Sequence, residues 1–287
     1  MISLEPSSLI LVLSATMCWG LAQVIGKLAL KNMSTILFNA IRLSVTVPLV
    51  IFPAVLGGGL GNPSIWVMGV AALSALLGLF FAAHLFFYSI KREAANRIIP
   101  AGNTHPFWMM ALAPIFLGEE LKLVLPVSAG LIFIGTFLLL PSRREPSRWK
   151  AGVPLASLAA FLWGFSTIID KYCLNAGMSV STLILVKMLV AAALFDITAG
   201  IVSQKRGLNV SRRSVQLSIV SGILAFAVGA FLYSIALNIE QAGTLAPISG
   251  TTIFFGFLFS ILLLGERPTR KSVLGTILVI TGVLLMV

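Results

Sequence analysis

The residues of this sequence best suited to chemistry on a small solute recur as matched pairs. Trp19, Gln23 and Lys27 stand four apart in WGLAQVIGK, and Trp163, Thr167 and Lys171 four apart in WGFSTIIDK. On a helix such positions share one face, so each phrase presents an aromatic ring, a hydrogen-bonding group and a cation in a stripe. Two such stripes facing one another would stack on a solute and bond its polar groups. The same spacing also suits a Trp packing anchor followed by a Lys that snorkels to a membrane interface.

A second pair lies further along. PAGNTH places Asn103 and His105 just after Pro100, and PISGTT places Thr251 and Thr252 just after Pro247. Proline frees a backbone carbonyl from its helical partner, and such breaks inside a membrane are tolerated where they are buried or line a cavity. His105, followed at once by Pro106, is the side chain whose ordinary range best suits titration near neutrality. Plain helix kinks satisfied by their neighbours are the alternative. Tyr88 and Tyr233 open the echo YSI, with His84 four residues before Tyr88; they are either cavity aromatics or interfacial belt residues. Trp66 and Trp149 begin apolar runs and read as belt residues.

Arg42 and Lys187 sit at comparable depths in two apolar runs. A charge there costs ~2.5–3.5 kcal/mol on insertion scales, so each needs a partner or an aqueous pocket. They are candidate anion contacts, or they snorkel or pair internally. Asp196 falls on the opposite side of its helix from Lys187 and cannot pair with it there. Asp170 stands near the end of its run, so a carboxylate-driven exporter of lipophilic cations is disfavoured. Glu119 and Glu266, in two copies of LGE, read as helix ends held by a neighbouring backbone or basic residue.

The elements that must position these residues are membrane helices. Hydrophobic residues make up 58% of the chain and charged ones 10%, against about a quarter charged in a soluble domain. Ten apolar runs of about 20 residues, each the length of a helix across roughly 30 Å of hydrocarbon, fall near 8–30, 34–56, 64–88, 97–117, 121–140, 151–173, 180–202, 214–237, 243–264 and 269–287. The boundary between the third and fourth is the least distinct. The first run lacks a basic leader and reads as a retained helix. Cys18 and Cys173 have no metal-ligand spacing and read as small packing residues. The net charge of +11 is spread among loops, which suits the positive-inside rule better than a nucleic-acid surface.

The paired motifs continue along the chain: Glu93 and Pro100 return as Glu240 and Pro247, the two LGE phrases follow in order, and Gly135 returns as Gly282. The reading is a duplication, 1–141 and 151–287, joined by a basic connecting loop at 142–150. Five spans per copy put the second copy upside down. The basic loops agree: Lys31, Lys91, Arg92 and Arg97 follow odd spans of the first copy, while Lys205, Arg206, Arg212, Arg213, Arg267, Arg270 and Lys271 follow even spans of the second. The expected fold is an all-α integral membrane protein of ten helices in a 5+5 inverted-topology repeat. Its basic loops are expected in the cytoplasm of a cell-membrane protein, with both termini outside.

The WG of each half's first helix, Arg42 in the second, LGE closing the fourth and the terminal-helix glycines Gly275 and Gly282 together resemble the drug/metabolite transporter superfamily, in its EamA-like ten-helix branch. The resemblance covers the whole chain. It implies a secondary transporter, often an exporter of amino acids or other small metabolites, with a central cavity between the halves. Known relatives place both termini in the cytoplasm, whereas the charges here argue the reverse.

The expected function is therefore alternating-access transport of a small-molecule substrate, with Trp19, Gln23, Tyr88, Asn103, His105, Trp163, Thr167, Tyr233, Thr251 and Thr252 as substrate contacts and Arg42 and Lys187 as possible anion contacts. A carboxylate-bearing or zwitterionic metabolite suits the two cations. An aromatic cage for a quaternary ammonium is the alternative, and an integral membrane enzyme a remote one, since two His and two Cys form no catalytic spacing. No Walker A loop, selectivity-filter repeat, metal site or cofactor motif is present. The expected partners are the substrate, membrane lipids and a coupling proton or ion, with no nucleic acid.

Overall fold

The computed structural model of the protein describes residues 5–56, 61, 63–93, 95–139, 151–206, 210–264 and 269–286, and the regular structure among them is all helix. In chain order the helices are α1 (Pro6–Ala29), α2 (Thr35–Leu56), α3 (Ile65–Arg92), α4 (Ala95–Gly102), α5 (His105–Leu117), α6 (Val124–Leu139), α7 (Gly152–Asn175), α8 (Val180–Arg206), α9 (Arg212–Ile239), α10 (Ala242–Ser249), α11 (Thr252–Leu264) and α12 (Arg270–Leu284). Seven stretches among the described residues are long and apolar enough to cross a membrane: α1, α2, α3, α7, α8, α9 and the run of α10 with α11. Two further helices, α5 and α6, are apolar but shorter. The chain is a multi-pass membrane protein.

Local chemistry sets the ends. Pro6 occupies the first turn of α1, where its missing N–H costs nothing. Ser64, Ser211 and Thr269 cap α3, α9 and α12 by accepting from backbone N–H groups of the first turn, which satisfies donors left without helical partners. α5 stops at Gly118, whose φ of 67° is left-handed and so favours glycine.

The packing is that of helices in lipid. Ile10, Phe52, Ile115 and Leu262 face outward, while Ala15, Ala71, Ala156, Ala159 and Ala246 are fully buried. Lipid gives apolar side chains no reason to hide, so small residues that let backbones approach hold the bundle together. The WG glycines show this most sharply. A Cβ on Gly20 of α1 would stand 2.6 Å from the Gly256 nitrogen of α11, and one on Gly164 of α7 would stand 2.8 Å from the Trp108 Cβ of α5.

Three features depart from the expected spans. α3 runs on to Arg92, taking Lys91 and Arg92 into its last turn, where cations favour the helix dipole. The breaks lie at 103–104 and 250–251, downstream of Pro100 and Pro247 rather than at them. The first follows from Pro106, whose ring would collide with the carbonyl four residues back, that of Gly102, the last residue of α4. In the second, Gly250 and Thr251 make the turn. Third, α3 and α9 each widen into a π-helical segment, Ala75–Ala82 and Ile223–Gly229. Single-turn π segments occur often at functional sites, and no sequence pattern announced these two.

Candidate functional site

A cavity of about 200 Å³ lies between the halves, walled by α1, α2, α3 and α5 on one side and α7, α8, α9 and α11 on the other. Both π segments reach it, through Gly78 and Leu79 and through Ala225 and Phe226. Trp19, Gln23, Asn103, His105, Trp163, Thr167, Tyr233, Thr252, Arg42 and Lys187 all line it.

The two tryptophans take mirrored places. Trp19 sits 5.1 Å from the Tyr233 ring and its Nε1 donates to the Ala225 carbonyl at 2.9 Å. Trp163 sits 5.2 Å from the Phe86 ring and 6.3 Å from His105. His105 Nε2 lies 3.4 Å from the Ser249 hydroxyl across the two helix breaks. Hydroxyl and amide donors at the breaks turn back onto their own chain: Asn103 Nδ2 bonds the Ile99 carbonyl at 2.8 Å, and Thr252 the Ser249 carbonyl at 2.8 Å. Thr167 likewise bonds the Trp163 carbonyl at 3.0 Å. The two threonines therefore offer a solute their acceptor lone pairs, while Asn103 keeps a second N–H and its carbonyl oxygen.

Two expected contacts lie elsewhere. Thr251 is buried away from the cavity, with its hydroxyl between the Ile248 carbonyl at 2.7 Å and the Thr16 hydroxyl at 2.9 Å, so it ties α1 to the break. Tyr88 stands nearer the end of α3, under the Arg92 guanidinium at 3.8 Å and 5.7 Å from His84. The reason is register. Tyr233 precedes the last residue of α9, Ile239, by six positions, and Phe86 precedes the last residue of α3, Arg92, by six. Phe86 is thus the partner of Tyr233 and lines the cavity; the YSI echo is out of step by two residues.

The two lysines that end the stripes do not line the cavity. Lys27 is exposed, and Lys171 turns from the cavity to donate to the Leu237 carbonyl at 2.9 Å. One turn of α7 instead brings Asp170 into the wall beside Ser166. Asp170 pairs with Lys187, and its other oxygen accepts from Ser74 at 2.6 Å. Ser74 and Ser166 are bonded at 2.7 Å, and Lys187 Nζ is 3.4 Å from the Ser166 hydroxyl. Asp196 lies outside this network, on the surface, accepting from Ser44 at 2.8 Å. Asp170 was legible in principle. It lies seven residues after Trp163 and three after Thr167, spacings that share a helix face.

Arg42 is in a different situation. It is 4% exposed, and its guanidinium carbon lies 4.9, 5.1 and 4.7 Å from the rings of Phe38, Phe87 and Phe226. Its one hydrogen bond is a 3.3 Å contact with Asn39 on its own helix, and its Nε has no partner among the described residues. No carboxylate pairs with it among those residues. Among the described residues the cavity therefore presents two cations, Arg42 and Lys187, and one carboxylate, already shared with Lys187.

Glu119 has a structural part: it caps α10 of the other half, accepting from the Ala242 and Gly243 nitrogens at 2.9 and 2.8 Å. Glu266, Trp149 and the 142–150 loop lie outside the described residues; Trp66 is exposed at the start of α3. Among the described residues no cluster of three or more His, Cys, Asp or Glu is placed to hold a metal ion.

Comparison with known proteins agrees with this architecture. Residues 6–140 and, separately, 150–287 match the EamA-like transporter family. An "Uncharacterized transporter" of Archaeoglobus fulgidus is 26% identical over 284 residues, covering 97% of both chains. A "Probable amino-acid metabolite efflux pump" of Escherichia coli is 24% identical over 287 residues, covering 95% of this chain and 92% of that one. A solved crystal structure superposes with a TM-score of 0.81 at 16% identity, over 97% of this chain and 96% of the other, which shows a shared fold. The chain belongs to the EamA-like transporter family, and it is a membrane transporter rather than an enzyme.

Proposed function

We propose that the protein is a secondary transporter, working as an exporter of small metabolites such as amino acids, with the cavity between its halves as the substrate site. The observation that carries this reading is Arg42, without a carboxylate partner among the described residues, in a cavity that they line with two cations and one carboxylate. A buried cation without a counter-ion is costly, and a solute carboxylate would supply the missing partner. The Escherichia coli relative's name points the same way.

The halves, 1–141 and 151–287, act as inverted five-helix repeats of a ten-helix fold, with α4 and α5 counting as one broken helix and α10 and α11 as another. Exchanged contacts support this. Gly20 meets α11 while Gly164 meets α5. A Cβ on Gly135 would stand 2.6 Å from the Gly275 carbonyl oxygen, and one on Gly282 would stand 2.9 Å from that of Ser128. Gly135 and Gly282 are repeat mates, and so by the same count are Ser128 and Gly275. Each contact is the other's image under a two-fold axis, the relation that lets two halves rock about a fixed midplane site. The basic loops, read by the positive-inside rule, put both termini outside; labelling of a cysteine placed at Lys31 from either side of the membrane tests that orientation.

The aromatic cage for a quaternary ammonium keeps Trp19, Trp163 and Tyr233 but loses Tyr88, and it faces two cations. Amino-acid-like solutes fit better. In proteoliposomes, Trp19→Ala and Trp163→Ala should each abolish transport while leaving the unfolding temperature near that of the parent. A solute at 100 times its dissociation constant should stabilise the parent by about 2.7 kcal/mol. Normal transport by both variants would remove the cavity from the mechanism.

A further inference from the structure

We infer that Asp170 is the ammonium-binding pole of the cavity, and that Lys187 is an internal stand-in which yields this carboxylate to the amino group of a zwitterionic solute. The inference rests on the substrate reading given above and adds the division of labour within it.

Three observations lead here. Asp170 and Lys187 are bonded to each other in the cavity wall, with side chains 12% and 11% exposed. The second Asp170 oxygen is held by Ser74, which is itself bonded to Ser166, so the carboxylate is oriented from α3 and α7 independently of Lys187. Arg42, in the same wall, has no carboxylate at all among the described residues. The site therefore has a fixed anion, a cation on a flexible four-carbon stem, and a second cation walled by aromatic rings.

Consider each class of solute against those groups. A plain carboxylate can sit on Arg42 without disturbing the Asp170–Lys187 pair. A plain amine must displace Lys187, exchanging one ammonium for another and leaving both cavity cations without partners. A solute with both groups does better than either. Its ammonium replaces Lys187 on Asp170, and the released Lys187 joins Arg42 on its carboxylate. Every charge is then partnered, which the cavity's own described side chains do not achieve. No proton moves and no bond forms or breaks; the step is an exchange of ion pairs. The order of affinity follows: amino acid, then its deamino acid, then its decarboxylated amine.

The test uses purified full-length protein and ligand-dependent thermal stabilisation. The proteinogenic amino acids are screened first, and each that binds is compared with its deamino acid and its amine; for leucine these are isocaproate and isoamylamine. The parent should bind the amino acid at least about tenfold more tightly than the deamino acid, a margin of about 1.4 kcal/mol. Asp170→Asn should erase that margin, bringing the two within about threefold, while binding of the deamino acid through Arg42 persists. Removing one partner of a buried pair can unfold a protein, whereas replacing both is often neutral. The double variant Asp170→Asn with Lys187→Met therefore serves as the second test, with the same loss of margin expected. If the parent binds amino acids and both variants keep the tenfold margin, the assignment of Asp170 is overturned and the transport reading stands. If no amino acid stabilises the parent, that reading fails and this inference fails with it.

Discussion

Replacing Arg42 with Gln separates a binding role from a structural one, because the structure puts opposite signs on the two. On the stability side, the substitution removes a buried cation that costs ~2.5–3.5 kcal/mol in a membrane helix. It also removes the attraction of three rings 4.7–5.1 Å away, each worth about 0.5–1 kcal/mol and more when desolvated, and a long 3.3 Å bond to Asn39. These contributions nearly cancel, so the unfolding temperature should change little. On the binding side the balance is one-sided. A solute carboxylate on the guanidinium would make two charge-assisted hydrogen bonds, each worth about 1.5–3 kcal/mol. With part of that gain spent on desolvating the solute, a loss of about 3 kcal/mol remains, roughly a 150-fold rise in dissociation constant. Titration calorimetry with an amino acid that stabilises the parent, run beside thermal unfolding of both proteins, reads the two quantities separately. Arg42→Lys keeps the charge but not the planar fork, and should recover only part of the affinity. An Arg42→Gln protein that binds carboxylates within about threefold of the parent would refute the assignment. So would a collapse in stability, since that would make Arg42 a packing residue.

Phe86→Ala should impair transport as severely as Tyr233→Ala, because the two rings clasp Trp163 and Trp19 in mirrored places, whereas Tyr88→Ala should leave transport rates within about twofold in proteoliposomes. Glu119→Ala should lower stability by about 2–3 kcal/mol, the loss of two charged hydrogen bonds at a helix start discounted for partial exposure; Glu119→Gln should lose about half of that, measured by denaturant titration in detergent.

How far the sequence could be read depended on the physical scale of the signal. Helices in lipid are written in runs of about 20 apolar residues, and the described helices follow those runs apart from the longer α3, the shorter α6 and the breaks that divide two runs into α4 with α5 and α10 with α11. The close crossing at WG was visible as a repeated phrase, yet the reason for its glycine, a partner half so near that a Cβ would stand 2.6 Å from the Gly256 nitrogen, belongs to tertiary structure. The π segments could not be read, since widening a helix by one residue leaves its composition unchanged. The tyrosine pairing failed for a different reason: counted from the helix ends, Phe86 answers Tyr233, and only letter identity favoured Tyr88. Asp170 was passed over on depth alone. A position near the end of an apolar run was taken to lie outside the site, although its spacing from Trp163 and Thr167 placed it on the lining face.

The site is least symmetric where the chemistry is concentrated. Asp170 follows Gly164 by six residues, and the residue that follows Gly20 by six is Gly26. A Cβ on Gly26 would stand 2.9 Å from the tip of the Phe38 ring. Phe38 is fully buried, edge-on to Phe87 at 5.0 Å, and is one of the three rings around Arg42. A carboxylate at this repeat position could therefore appear only by displacing the aromatic wall that surrounds the guanidinium. The duplicated frame supplies matched helices, breaks and tryptophans on both sides of the cavity. Within it, one half holds a cation with its counter-ion, and the other holds a cation that has no carboxylate partner among the described residues. Two identical poles would bind a solute in either of two orientations. One occupied pole and one bare pole distinguish the ends of a zwitterion, and a carrier whose substrate has distinct ends needs that difference at its midplane.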